Sequence, residues 1–264
     1  MKRVGLMFRA IGAQKRSLPH FIIAGVQKGG TTSLYAYLDQ HPDMYLSRPK
    51  EVHFFDDQYE KGILYYKRHF PFESKKKCTG EASPYYIFHP HAPQRIKEDV
   101  PGVKIIVVFR NPIMRAYSHF HMQRRAGKED LTTFEEAIAA EKGRLEGEKE
   151  KMLSDMSYNS VSYKRYSYAA RGMYYEQAVH LIEVFGRDKV LFIKSENLLE
   201  APRVELEKVY EFLGVRKEFP ASLKKKHVGD YPAIKPETLN HLKEAYSEDQ
   251  SKLTELLGDE FSWF

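Results

Sequence analysis

The chain has 264 residues, 42% of them hydrophobic, with a net charge of +6 and an isoelectric point near 9.1. That length and apolar share suit one sizeable core and a single domain. The lone cysteine, Cys78, excludes an intrachain disulfide, and no run of about eighteen apolar residues offers a membrane span. The basic charge suits anionic cofactors and acidic polymers, and equally nucleic acid or a membrane surface, so alone it chooses none of them.

In chain order, residues 1–18 read as a basic N-terminal extension without a signal-peptide core, and residues 19–264 as one domain. Phe21 to Ala24 is a short apolar run, predicted to be a buried parallel strand. A glycine-rich turn, Gly25-Val26-Gln27-Lys28-Gly29-Gly30, follows it. Thr31-Thr32-Ser33 then opens a helical pattern with Leu34, Tyr37 and Leu38 on one face. Strand, turn and helix N-terminus together make an anion cradle, with backbone N–H groups and the helix dipole both favouring negative charge. Gly25 and Gly30 keep the spacing of a nucleotide-binding P-loop, yet Thr31 stands where its lysine would be and the lysine has moved to Lys28. The turn is therefore expected to take a phosphate-like group without a metal-bound triphosphate; the plain alternative is a turn that only joins strand to helix. Further on, Lys50-Glu51-Val52-His53-Phe54-Phe55-Asp56 places His53 two residues after Glu51, on the same face if the segment is extended. Phe54 and Phe55 would anchor it in the core.

A second apolar strand, Val103 to Phe109, ends in Arg110-Asn111, and Pro112 sets a helix start. Thr132 and Thr133, each followed three residues later by a glutamate, cap a charged helix expected to run to about Met152. Ser154 to Tyr168 alternates tyrosine with small polar residues and reads either as a lid or acceptor-binding loop or as an ordinary exposed connection. A helix from Tyr174 to Phe185, a strand from Val190 to Ile193 and a helix from Pro202 to near Leu213 come next. Pro236 begins a last helical pair, with Leu239, Leu242 and Tyr246 on one face. Strands alternating with helices predict a three-layer α/β P-loop-like fold, a central parallel sheet flanked by helices. No Cys/His cluster has metal-ligand spacing, so no metal is expected.

The run from Phe21 to Tyr35 resembles the 5′-phosphosulfate loop of sulfotransferases that use 3′-phosphoadenosine 5′-phosphosulfate (PAPS). Arg110-Asn111-Pro112-Ile113-Met114-Arg115-Ala116-Tyr117-Ser118 is similar to the second half of that family's signature. The resemblance implies that Lys28, Gly29, Gly30, Thr31, Thr32 and Ser33 hold the 5′ end of PAPS, and that Arg110 and Ser118 bind its 3′-phosphate. Glu51 to Phe55 resembles the E-x-x-F-F stretch of the glycosaminoglycan-type branch, which implies Glu51 as catalytic base. His53 either orients it or is itself the base, and Lys28 carries charge on the departing phosphate.

Gly80-Glu81-Ala82-Ser83-Pro84-Tyr85 matches a segment in which several polysaccharide sulfotransferases have lysine where Ala82 stands. Glu81, Ser83 and Tyr85 are expected to line the acceptor cleft. Lys224 to Pro232 resembles the loop that closes over the 3′-phosphate, which nominates Lys226, His227 and Gly229. The resemblance implies a PAPS-dependent sulfotransferase, releasing 3′-phosphoadenosine 5′-phosphate (PAP) by in-line displacement to a hydroxyl acceptor, a carbohydrate or glycolipid. A bacterial, cytoplasmic enzyme is expected, with no nucleic-acid partner and a homodimer left open. The rivals are a nucleotide kinase or NTPase of the same fold and a non-catalytic nucleotide- or polyanion-binding module.

Overall fold

The computed structural model describes residues 12–72, 78–223 and 232–264. Among them, β1 (Phe21–Gly25), β2 (Met44–Leu46), β3 (Cys78–Ala82), β4 (Lys104–Phe109) and β5 (Val190–Lys194) form one parallel sheet. Its order is β2-β3-β1-β4-β5. Helix α1 (Thr31–Leu38) follows β1, α2 (Phe54–Asp57) and α3 (Ile63–Lys67) follow β2, and α4 (Ala92–Asp99) precedes β4. Between β4 and β5 run α5 (Pro112–Arg125), α6 (Phe134–Leu145), α7 (Glu148–Ser154), α8 (Val161–Tyr166) and α9 (Tyr174–Phe185). After β5 come α10 (Ser195–Glu200), α11 (Pro202–Leu213) and α12 (Pro236–Leu257).

The period of two along each strand divides the core into two layers. Phe21, Ile23, Ile106 and Val108 pack with Leu34 and Leu38 of α1 and Leu206 and Val209 of α11. Ile22, Ala24, Ile105, Val107 and Phe109 pack on the opposite face with Ala178 and Leu181 of α9 and Ile96 of α4. Each Val, Leu, Ile or Phe side chain among them taken out of water contributes roughly 1.5–3 kcal/mol. A sheet covered on both faces needs strands apolar on both sides, which is why β1 and β4 read as continuous apolar runs. Neighbours β1 and β4 send the chain in opposite directions, towards β2 and towards β5. In an open parallel sheet the crevice beyond the carboxyl ends at such a point receives ligands.

The three-layer expectation holds, and the strands read from apolar runs stand where they were placed. Two strands were not foreseen: β2 has three residues, and β3 reads Cys-Thr-Gly-Glu-Ala yet is buried throughout. The capping box at Thr133 forms, with Glu136 N donating to Thr133 Oγ1 at 3.2 Å and Thr133 N to Glu136 Oε2 at 3.1 Å. The helix it opens does not continue to Met152; it stops at Leu145, and Gly147, at φ 69°, starts α7 afresh. The expected final helical pair is one helix of 22 residues. Within the basic extension, Arg16 is tied down: Nη1 donates to Phe70 O at 2.6 Å and the guanidinium lies 4.3 Å over the Phe72 ring. Residues 1–11 of that extension, and Lys226, His227 and Gly229, lie outside the described residues. No described helix is long and apolar enough to cross a membrane.

Candidate active site

The loop after β1 is drawn tightly against β4. Val26 N donates to Val108 O at 3.1 Å and Gly29 N to Val26 O at 2.9 Å. A Cβ on Gly29 would meet Val108 O at 2.2 Å, so only glycine permits this approach. Gly30 N-caps α1 at φ 100°, a left-handed conformation that again favours glycine. The helix that follows presents Thr31, Thr32 and Ser33 in its first turn, where the helix dipole favours an anion.

At the end of β4, Asn111 caps α5: its Oδ1 accepts from Ile113 N and Met114 N at 3.1 and 3.0 Å. That cap, with Pro112 at the first helical position, turns the chain sharply and sends Arg110 back to the loop, where Nη1 donates to Lys28 O at 3.1 Å. Burial lowers the Lys28 pKa, and the charges of Arg125, Arg110 and Lys50 push the same way against Glu51. Like charges gathered this closely favour an anion among them. Ser118 lies about two turns into α5 and is buried.

The base segment is not extended, the condition under which Glu51 and His53 would share a face. Glu51 and His53 both occupy left-handed backbone, at φ 64° and 52°, conformations that cost energy in residues with a Cβ and concentrate at functional sites. The side chains still meet: His53 Nε2 lies 3.4 Å from Glu51 Oε2. On the other side His53 Nδ1 lies 2.6 Å from Oδ2 of Asp56, a carboxylate buried at the start of α2. Burial alone would lower the imidazole pKa, but hydrogen bonds to Asp56 and Glu51 outweigh it and raise the value to about 9. Burial would likewise raise Glu51, yet His53 and Lys50, whose Nζ is 2.5 Å from Oε1, hold it at about 2. At neutral pH the arrangement is therefore an imidazolium between two carboxylates. Both ring nitrogens of His53 thus face carboxylate oxygens.

Asp56, which the sequence reading left without a role, thus completes the pair, and a second unforeseen residue joins it. Lys164 of α8 pairs with Asp57 and lies 3.7 Å from Asp56 Oδ2. Donor atoms of His53, Asp56 and Asp57 come within 4.8 Å of one another, a metal-like grouping that Lys164 already supplies with a cation.

These groups open onto a cavity of about 490 Å³. Its lining includes Glu51, His53 and Asp57, Gln27 of the loop, and Tyr85, Lys164 and Arg171. Tyr85 is among the lining residues. Glu81 and Ser83 are not: both are fully buried, and Glu81 accepts from Tyr66 Oη at 2.6 Å and Ser83 Oγ at 2.8 Å. Burial raises the Glu81 pKa to about 7, against the hydrogen bonds from Tyr66 and Ser83. Because β3 is covered on both faces, its glutamate points into packed protein rather than the cleft; Ser83 Oγ in turn accepts from His53 N at 3.3 Å and so supports the base segment from beneath. The stretch from Ser154 to Tyr168 is no mere connection, since Asn159, Ser160, Lys164 and Arg165 line the cavity.

Of the loop, Gln27 lines the cavity and Lys28 does not. An ionised carboxylate facing the cavity with the cationic loop beside it suits transfer of an anionic group to a nucleophile that must lose a proton. The family model described as the sulfotransferase domain matches residues 18–255. Human heparan sulfate glucosamine 3-O-sulfotransferase 3B1 is 30% identical over 276 residues, covering 96% of this chain and 66% of that protein. The chain thus spans about two thirds of that relative's length. Human heparan sulfate glucosamine 3-O-sulfotransferase 6 is 29% identical over 279 residues, covering 96% of this chain and 76% of that protein. A sulfotransferase crystal structure from Alicyclobacillus acidocaldarius matches with a TM-score of 0.72 and 30% identity, covering 91% of this chain and 96% of the other. The sulfotransferase domain of the curacin biosynthetic pathway, 15% identical with a TM-score of 0.52, covers 92% of this chain and 99% of its own and shares the fold. With one domain model running along residues 18–255, the chain belongs to the sulfotransferase-domain family.

Proposed function

We propose that this protein moves a sulfuryl group from PAPS to a hydroxyl of a carbohydrate acceptor, with Glu51 as the base. The observation that carries this reading is the Glu51–His53–Asp56 chain opening, beside the donor loop, onto one cavity. The loop fits the donor. Gly29 brings the backbone close, Thr31, Thr32 and Ser33 open a helix towards an anion, and Lys28 sits among cations that an anion would relieve. Arg110 and Ser118 take the 3′-phosphate; Lys226, His227 and Gly229 join them by resemblance alone.

PAPS supplies the sulfuryl group, and PAP carries away the bonding electrons. Glu51 receives the proton as the hydroxyl oxygen bonds to sulfur and the sulfur–phosphate oxygen bond breaks. Held at about 2, Glu51 is a weak base at rest, so proton transfer follows bond formation, once the attacking oxygen has become acidic. His53 orients the carboxylate through its Nε2, and Asp56 keeps His53 charged. Lys28 places an ammonium where negative charge grows on the departing phosphate, an interaction strongest in the transition state. Lys128, Lys164 and Arg165 on the cavity wall favour an acidic polysaccharide, in keeping with the heparan sulfate named for the relatives.

The test is an acceptor screen with radiolabelled PAPS over glycosaminoglycans, neutral polysaccharides, glycolipids, small alcohols and phenols. Label should enter an acidic polysaccharide, without added metal. Transfer only to a phenol or small alcohol, or to nothing, overturns the carbohydrate reading.

A further inference from the structure

The acceptor wall contains a buried cation that the loop and the base segment do not account for. Arg171 lies in the turn Ala170–Gly172 between α8 and α9 and is 3% exposed. The turn is clamped. Ala169 N and Ala170 N donate to Glu141 at 2.6 and 2.8 Å, and the Tyr246 hydroxyl donates to Ala169 O at 2.9 Å. From this fixed base the guanidinium passes over the rings of Tyr85 and Phe88, 4.6 and 5.1 Å from their centres.

Its donors then divide between two elements. Nε donates to Ser167 Oγ at 2.7 Å, and Nη2 to the carbonyls of Tyr163 and Lys164 at 3.3 and 2.5 Å, satisfying the C-terminal end of α8. Nη1 reaches the other way, to Gln27 Oε1 at 2.7 Å, next to Lys28 in the loop. Helix α8 carries Lys164 across to Asp57 and Asp56, and Asp56 holds His53 against Glu51. A continuous run of polar contacts therefore joins Gln27, Arg171, Lys164, Asp56, His53 and Glu51. One end lies beside the loop's ammonium and the other is the base. A planar guanidinium suits the junction because its donors are fixed in direction and span two elements at once, which a lysine cannot do.

Resting on the function proposed above, we infer that Arg171 is a positioning residue: it couples the donor loop to the acceptor wall, so that a nucleotide in the loop also sets α8 and the base segment. Gln27 is the loop's half of the coupling. When the loop is ordered around the nucleotide, Gln27 holds Arg171, Arg171 holds the end of α8, and Lys164 stays against Asp56 and Asp57.

PAP, which binds without turnover, gives the first readout. In the native protein PAP should slow amide hydrogen exchange in α8 as well as in the loop. In Gln27→Leu, PAP should still bind within about threefold of the native affinity while protection of α8 disappears. The single-turnover rate with saturating PAPS should fall about tenfold in Gln27→Leu, the worth of one charge-assisted hydrogen bond. Arg171→Lys keeps the buried charge and should lose the same factor, and the double variant should lose no more than either alone. Retained α8 protection in Gln27→Leu, additive rate losses, or a defect confined to PAP affinity would each overturn the inference. If PAP failed to bind the native protein, the donor assignment would fall first and this inference with it. Nucleotide binding with intact α8 protection in Gln27→Leu would sink the coupling alone.

Discussion

On the proposed function, the donor side and the acceptor side of the site are built by different means. On the donor side two strand ends and the turns after them meet through backbone carbonyls, Val108 O accepting from Val26 N and Lys28 O from Arg110 Nη1, both at 3.1 Å. Val26, Gly29 and Gly30 shape the loop with backbone groups, and Asn111 caps the next residues along. On the acceptor side, side chains hold side chains across long separations: Lys164 and Asp57 are 107 residues apart, Arg171 and Gln27 144. A backbone cradle tolerates substitution where a side chain has room, since any residue but proline supplies an amide, but not at Gly29 or Gly30. A side-chain wall changes whenever one partner changes.

Glu51 is the sharpest test, because it stands where the two sides meet. Glu51→Gln keeps the shape and one acceptor oxygen but takes no proton at neutral pH. Single-turnover rates at saturating PAPS should fall by roughly 10²–10⁴, the usual worth of a general base. PAP affinity, measured by calorimetry, should hold if the carboxylate serves the acceptor, as proposed. Near-normal turnover would return the role of base to another group. Arg110→Ala probes the donor side alone. It should weaken PAP by about ten- to a hundredfold, a charged bidentate contact, while leaving adenosine 5′-phosphosulfate, which lacks the 3′-phosphate, nearly unchanged. Equal losses for both ligands would remove Arg110 from the 3′-phosphate.

The same division explains what could be read from the chain. Strand β1, the glycine loop, α1, β4 and the start of α5 were legible because their signals are local: an apolar run, glycines, a capping residue, a proline. Glu51 and His53 were found together, but their left-handed backbone was not, since no local pattern announces it. Asp56 lay in plain view three residues after His53; the spacing E-x-H-x-x-D was the available signal and was passed over. Glu81 was misplaced because Cys-Thr-Gly-Glu-Ala does not look like a core strand, and a buried glutamate is intelligible only once Tyr66 and Ser83 are seen donating to it. Lys164 and Arg171 had no sequence signal at all. Their partners are set by the packing of α8 and the turn after it, which only the folded chain defines.

The pH dependence sharpens the acceptor side further. His53 is raised to about 9 from an ordinary 6.5, by Asp56 and Glu51 acting against burial. The folded state therefore binds that proton more tightly than the unfolded chain. Its contribution to stability is complete below about 6.5 and is lost as pH rises through about 9. The rate should follow the same limb: once the imidazole is neutral, one of the two carboxylates loses its donor and Glu51 loses its orientation. The transfer rate should drop above about pH 9, and Asp56→Asn, which removes the larger hydrogen-bonding cause, should move that limb to lower pH. An alkaline limb unmoved in Asp56→Asn would show that another group titrates there.

The smallest expected effect on turnover belongs to Glu81, and it separates a supporting role beneath the wall from a place in the wall. The carboxyl is fully buried, with its oxygens on Tyr66 and Ser83, and burial lifts its pKa from 4.5 to about 7. The folded protein thus holds a proton there that the unfolded chain releases, so stability falls as pH rises across that window, by at most about 1.4 kcal/mol per pH unit. Glu81→Gln keeps a neutral hydrogen-bonding group in the same space and removes the titration. Urea midpoints for the native protein and Glu81→Gln, taken side by side from about pH 5 to pH 8, should diverge as pH rises, with the variant gaining relative stability. Its transfer rate should change only a few-fold, by way of Ser83 and the backbone of His53. A variant with parallel stability at every pH but a large loss of acceptor affinity would put Glu81 back among the groups that touch the acceptor.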